Sequence, residues 1–144
     1  MKAALAILSI SILLGSCHRN TNQPLDPRLG RYVLSGYGSS DELIFTGEIL
    51  FTSLEQNYFK GHCTVVREKN APHGVVDQSG DCEALIEGNK IELDFAPSLD
   101  DAGLIIEAEF DDGSLDGVWK LDGFVTSGPL GKFVAVKSFR QAQP

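Results

Sequence analysis

Apolar and polar residues alternate with a period of two along most of the chain after Leu29. Residues 91–95, for example, have the sequence Ile-Glu-Leu-Asp-Phe. Successive side chains of a β-strand point to opposite faces of the sheet, so this alternation predicts strands with one buried and one solvated face. Eight segments alternate in this way, and none shows a convincing helical period. The predicted strands are residues 30–36, 43–52, 59–65, 81–87, 91–95, 104–110, 115–122 and 132–138.

Two residue pairs between these segments are signals for tight hairpin turns. Gly-Asn at 88–89 suits a two-residue turn, and Asp-Gly at 112–113 suits one more strongly. A two-residue turn at 112–113 places Ile106 opposite Trp119, and both residues belong to the predicted apolar face. The turns and the alternation therefore agree on a single buried face.

These observations predict an all-β fold. Eight short antiparallel strands joined in sequence favour an eight-stranded antiparallel up-and-down meander that closes into a barrel, because closure removes exposed strand edges. Gly47, Gly61 and Gly117 lie inside predicted strands and support closure, since glycine lets strands coil tightly and approach one another. An open β-sandwich is the alternative.

The first 16 residues have the pattern of a signal peptide. Lys2 is positively charged, and residues 3–14 form an apolar run of about a dozen residues. This run is too short to span a bilayer, which takes roughly 20 apolar residues, and no later segment approaches that length. The pattern therefore predicts a targeting segment ahead of one folded domain.

Residues 14–17, Leu-Gly-Ser-Cys, closely resemble the lipobox of bacterial lipoproteins. The resemblance implies cleavage before Cys17, a thioether-linked diacylglycerol on its sulfur and acylation of the new amino terminus. Two or more lipid chains hold a protein stably on a membrane where one chain binds only marginally. His18 stands where an inner-membrane retention signal would usually have aspartate, which by resemblance favours the outer membrane, facing the periplasm. An ordinary secreted protein with a chance cysteine is the alternative.

With Cys17 assigned to lipid by that resemblance, Cys63 and Cys82 remain as an even pair in an oxidising compartment and predict one disulfide. Both fall on the apolar face of their predicted strands. If they are directly opposed, the bond clamps the longest hairpin and stabilises the domain by roughly 3 kcal/mol in the chain-entropy model. A metal site is a weak alternative, since a closed site needs four ligands and only His62 lies nearby.

The domain at residues 29–140 is similar to the calycin-like barrels, meaning lipocalins, fatty-acid-binding proteins and avidins. The similarity rests on Gly-Arg-Tyr at 30–32, where those families commonly have Gly-x-Trp, and on the eight-strand meander. It rests also on the basic residues Lys137 and Arg140 near the last strand. The expected Trp is Tyr32, and no further family motif appears, so the similarity implies a fold and no ligand.

The segments outside the predicted domain are short. Residues 17–28 are polar, contain two prolines and are predicted to form a flexible tether after the lipidated cysteine. Residues 141–144 form a C-terminal tail. The formal net charge of −8 makes the protein a poor candidate for binding nucleic acid or anionic lipid head groups.

No catalytic constellation is evident in the sequence. The three histidines, His18, His62 and His73, lie in the tether, on an outward strand position and in a loop, and no serine occupies a nucleophile elbow. There is no phosphate-binding loop or paired-histidine metal motif. Residues 111–117 superficially resemble a calcium loop but lack the spacing of an EF-hand. The sequence therefore predicts a protein that is not an enzyme and has no cofactor or metal.

Aromatic residues on the apolar face are the first candidate site. Eight-stranded barrels are either just filled by side chains or hold one small ligand. The aromatic face therefore predicts either a pocket for a small apolar ligand or a solid core, which needs the same side chains and few polar groups. The candidate lining residues are Tyr32, Phe45, Phe51, Phe59, Phe95, Phe110, Trp119 and Phe133.

The loop at residues 68–79 is the second candidate site. Arg67, Lys69 and His73 make it the most basic patch of an acidic chain, and long loops often carry binding residues. A tolerated surface insertion is the other explanation.

The sequence as a whole predicts a membrane-anchored lipoprotein of the bacterial cell envelope with a non-catalytic β-barrel module that binds a small apolar ligand or an envelope protein. The alternative is a structural, interaction or inhibitor-like periplasmic lipoprotein with a filled barrel and no ligand.

Overall fold

A computed structural model describes residues 26–96, 103–123 and 128–138. All regular secondary structure within these ranges is β-strand, and the strands form one closed antiparallel barrel in which β8 pairs back to β1. This confirms the predicted up-and-down barrel. The strands are β1 (Gly30–Tyr37), β2 (Leu43–Glu55), β3 (Tyr58–Arg67), β4 (Gln78–Glu87), β5 (Lys90–Asp94), β6 (Gly103–Asp111), β7 (Ser114–Asp122) and β8 (Gly131–Lys137).

Several predicted features lie outside the described residues. They are the signal peptide at 1–16, the lipidated Cys17 with most of its tether, Arg140 and the tail at 141–144. Within the described ranges, no helix has the length and apolar character needed to cross a membrane.

The two ends of the barrel differ in their connections. The turn end carries the tight turns after β2, β4 and β6, together with the start of β1 and the end of β8. The loop end carries the connections after β1, β3, β5 and β7. The turn at 112–113 has positive φ at both central residues, Asp112 (39°) and Gly113 (84°), as a type I′ hairpin requires. Ile106 pairs with Trp119, so the register predicted from this turn is confirmed.

The start of β2 departs from simple alternation. Gly36 pairs with Phe45 but Tyr37 pairs with Leu43, so Ile44 is an extra residue in β2, as in a β-bulge. The bulge shifts the phase of the strand by one residue. Ile44 is consequently buried, and Leu43, which simple alternation with Phe45 predicts to face inward, is 38% exposed.

Glycines inside the strands permit close approach of neighbouring main chains. A Cβ atom built on Gly47 would lie 1.9 Å from the carbonyl oxygen of Thr64, and one built on Gly117 would lie 2.0 Å from that of Glu107. Both separations are far below van der Waals contact. The barrel therefore closes tightly only because these positions have no side chain.

The Cys63–Cys82 disulfide forms, with a Cα–Cα distance of 5.9 Å. The two cysteines are not directly opposed, however, because Cys63 pairs with Gly80 and Cys82 pairs with Gly61. The bond therefore crosses β3 and β4 diagonally. Alternation of side chains fixes which face a residue occupies but does not detect a slip of two residues, which is why direct opposition was the wrong register.

Candidate functional site

The interior of the barrel is filled by the aromatic residues that the sequence placed there. Six of the eight candidate lining residues expose at most 1% of their surface, Phe95 exposes 4%, and Phe110 is half-buried. A void large enough for a water molecule would leave part of the adjoining ring surface accessible. No such void therefore adjoins the six most buried of these residues. The six residues are Tyr32, Phe45, Phe51, Phe59, Trp119 and Phe133.

Four aromatic rings pack together near the turn end. The ring centroid of Phe51 lies 5.0 Å from that of Phe59 and 5.8 Å from that of Tyr32. Phe110 lies 5.9 Å from Phe59 in an edge-to-face arrangement. These separations fall in the favourable range for aromatic pairs and leave no room for a ligand between the rings.

Arg28 closes the turn end over these rings. Its guanidinium carbon lies 5.3 Å from the ring centroid of Phe59 and 5.6 Å from that of Phe110, within the range of cation–π contacts. A guanidinium nitrogen forms an ion pair with Asp26 at 2.7 Å, and another donates a hydrogen bond to the carbonyl oxygen of Gly88 at 3.2 Å. Sequence reasoning placed Arg28 in the tether, because a single Arg beside a Pro carries no signal that it will fold back.

Asp26 and Arg28 each shift the pKa of the other. The hydrogen bond from Arg28 holds the pKa of Asp26 below its ordinary value, and the same hydrogen bond raises the pKa of Arg28. Burial raises the pKa of Tyr32 to about 12. The Tyr32 hydroxyl donates a hydrogen bond to the carbonyl oxygen of Arg28 at 2.8 Å, and the Lys137 ammonium lies 5.9 Å from the Tyr32 ring centroid.

The loop end is closed by Trp119 and by the β3–β4 loop. The indole N–H of Trp119 donates a hydrogen bond to the carbonyl oxygen of Tyr37 at 2.8 Å, and its ring packs edge-to-face on Phe45 at 5.5 Å. Val75 from the loop is buried in the same core. A void of about 10 Å³ beneath this loop, beside Val75 and Leu104, holds at most one water molecule.

The three basic residues at the end of β3 and in the β3–β4 loop are exposed. Arg67, Lys69 and His73 are on the surface, and no hydrogen bond or ion pair joins their side chains to another described residue. The main-chain N–H of Arg67 donates a hydrogen bond to Asp77 at 2.7 Å. The structure therefore shows a loop held down by Val75 with three basic side chains displayed in solvent.

Ser79, His62 and Asp81 lie near one another on the outer faces of β3 and β4. The His62 Nε2 atom is 3.1 Å from the Ser79 Oγ atom, but its Nδ1 atom is 3.7 Å from Asp81, too far for a hydrogen bond. The Asp81 side chain is 99% exposed. A carboxylate in bulk water does not fix the orientation of a histidine, and these residues line neither concavity described in this section.

Potential metal ligands are dispersed over the surface. Among the described residues, no three His, Cys, Asp or Glu side chains are grouped so as to hold a metal ion. Cys63 and Cys82, the two cysteines among the described residues, are joined in a disulfide.

A concavity larger than the void beneath the β3–β4 loop lies on the outer wall of the barrel. It has a volume of about 570 Å³ and spans β4, β5, β6 and β7. Two rows of outward side chains border it, and the main chain between the rows forms its floor, because side chains there point inward. We call this surface the acidic groove. Its residues are Leu85, Glu87, Lys90, Ile91, Glu92, Glu107, Ala108, Glu109, Asp116, Gly117 and Val118.

Alternation alone predicts that these acidic residues face outward, but it does not reveal that they border one concavity. That follows from the register that aligns four strands.

No protein-family model matches the sequence, and no curated protein is significantly similar to it. The closed eight-stranded antiparallel barrel fits the calycin-like fold in general.

Proposed function

We propose that this chain is a lipid-anchored, non-catalytic protein of the bacterial cell envelope that binds a protein partner on the outer surface of a filled barrel. The observation that carries the proposal is the packed interior. Phe59 of β3 contacts Phe110 of β6 across the barrel at a centroid distance of 5.9 Å, and on neighbouring strands Phe51 lies 5.0 Å from Phe59. A ligand inside would have to displace side chains that already fill the space.

Closure of both ends supports the same conclusion. Arg28 covers the turn end, and Trp119 with Val75 covers the loop end. A carrier of apolar ligands needs an entrance as well as a cavity. Of the two possibilities that eight-stranded barrels offer, this barrel corresponds to the one filled by side chains.

The lipobox-like residues 14–17 support the anchor. The segment between Cys17 and Asp26, about eight residues, would span roughly 30 Å if fully extended. It would join the barrel at the turn end, where Gly30 begins β1. The outer walls and the loop end would then be free to meet other proteins of the envelope.

The binding part of the proposal is tested by native mass spectrometry of the protein isolated from its cells in mild detergent. We expect a complex with a second protein and no non-covalent small-molecule mass on the chain. A stoichiometric lipid or other small molecule, released by organic solvent and not accompanied by a protein partner, would overturn the proposal.

The anchor is tested by replacing Cys17 with Ser. We expect the wild-type chain in the membrane fraction, with a mass that includes acyl chains, and the variant without the lipid mass. An identical mass and distribution for both chains would show that Cys17 carries no lipid.

A further inference from the structure

We infer that the acidic groove docks an extended segment of a partner protein that carries both lysine or arginine and apolar side chains. The inference rests on the proposed function, because it gives the place and the chemistry of partner binding. Two independent properties of the groove carry it, its partly apolar concave surface and the excess of negative charge on its rim.

The shape of the groove provides the apolar part of the surface. Leu85 of β4 and Val118 of β7 stand at the two ends of one outward row, with Glu92 and Glu107 between them. Both apolar side chains are half-buried in the concavity. A partner that covers them removes apolar surface from water, which favours association.

The rim has five carboxylates and one ammonium group. Glu87 and Glu92 form no ion pair with a described residue. Lys120, next to the groove, already pairs with Glu107. That contact, together with the charges of Glu92 and Asp122, raises the pKa of Lys120. The groove therefore has a negative potential that a cationic segment complements.

The dimensions of the groove suit an extended chain. Neighbouring strands lie about 4.8 Å apart, so the path from β4 to β7 is roughly 14 Å long, equal to about four residues of extended peptide. The eight described strands form a closed barrel, so none of them offers a free edge to which a peptide could add as a further strand. Recognition would therefore depend on side chains, with cationic groups over the carboxylates and apolar groups over Leu85 and Val118.

A second copy of this chain is the competing occupant. The wall formed by β1 and β8 carries the exposed apolar pair Val33 and Val136, with Arg31 nearby. Sedimentation velocity of the full chain over a range of concentrations separates the two cases. A monomer at all concentrations supports a different protein as the occupant, and concentration-dependent dimers that the groove variants abolish would overturn the inference.

The direct test uses fluorescence anisotropy of a labelled peptide in which lysine and valine or leucine share every second position, with serine between them, so that both kinds of side chain lie on one face of the extended chain. The full chain, purified in detergent, is titrated at low and at physiological salt. The groove variant is Glu92→Gln with Glu109→Gln. The matched control is Glu48→Gln with Asp81→Asn, which makes the same change in charge on β2 and β4 outside the groove.

We expect the wild-type chain to bind the peptide, and the groove variant to bind it about fivefold more weakly at low salt, as the loss of two surface ion pairs implies. The control variant should match the wild type. A peptide with serine in place of valine and leucine should bind more weakly to all three chains. No binding to the wild type, or equal weakening in both variants, would overturn the inference.

A failure of the groove assignment can be distinguished from a failure of the proposed function. If native mass spectrometry finds a protein partner and the groove variant retains it fully, the partner binds elsewhere and only the groove assignment is wrong. If it finds a small-molecule ligand and no partner, the proposed function itself is wrong.

Discussion

The guanidinium carbon of Arg28 lies 5.3 Å from the centroid of the Phe59 ring, so a charged side chain from the segment before β1 covers the aromatic core. Arg28→Ala removes this contact and the ion pair with Asp26. We expect it to lower the free energy of unfolding by about 1–2 kcal/mol. Arg31→Ala, which removes an exposed ion pair with Glu48, is the control and should cost about 0–1 kcal/mol. Urea unfolding of both variants checks this, and equal losses would show that Arg28 does not cover the core.

The ion pair between Asp26 and Arg28 makes stability depend on pH. Because the folded-state pKa of Asp26 is lowered from 3.8, its contribution is present above that value and is lost as pH falls through the lower folded pKa. The difference in unfolding free energy between wild type and Asp26→Asn should therefore be constant near neutral pH and should shrink in acid. Urea unfolding at several pH values measures it. A difference that stays constant down to pH about 2 would contradict the assignment.

The disulfide stabilises the barrel by restricting the unfolded chain. It joins residues separated by 19 positions. We expect Cys63→Ala with Cys82→Ala to fold into the same barrel and to lose about 3 kcal/mol of stability. Far-ultraviolet circular dichroism in the absence of urea shows whether the variant forms the β-sheet, and urea unfolding followed by the same signal measures its loss of stability. A variant that lacks the β-sheet spectrum in the absence of urea would mean that the bond is required for folding.

The packed core allows a ligand site to be created by truncation. Phe51 is 1% exposed and contacts Tyr32 and Phe59. Phe51→Ala should cost about 3–5 kcal/mol and leave an apolar cavity. Such cavities bind small apolar molecules, so we expect benzene to raise the melting temperature of the variant and not that of the wild type. Phe51→Leu offers a milder change if the Ala variant does not fold. Equal stabilisation of the wild type would contradict a filled interior.

The sequence predicted the barrel because its alternation, hairpin turns and glycines are local signals that agree with one another. The Asp112–Gly113 turn fixes the register of β6 and β7 without knowledge of the rest of the fold. The exceptions have local causes. The bulge at Ile44 reversed the predicted exposure of Leu43, and the long β3–β4 loop left the diagonal offset of the disulfide undetermined.

The acidic groove could not be predicted in the same way. Glu92, Glu107 and Val118 are distant in sequence and share one outward row only after two registers are combined. Closure of the turn end by Arg28 depends on a contact between a residue outside the strands and rings from β3 and β6. Both features arise from tertiary structure, for which alternation carries no signal.

Site-specific photo-crosslinking in cells tests most directly whether this barrel acts through its outer wall. A photoreactive amino acid replaces Val118 in the acidic groove, and in a separate chain it replaces Val33 on β1, which is 50% exposed. We predict a discrete protein adduct at Val118, with the crosslinked partner peptide rich in lysine or arginine, and none at Val33. Adducts of equal yield at both positions, or at neither, would contradict the account.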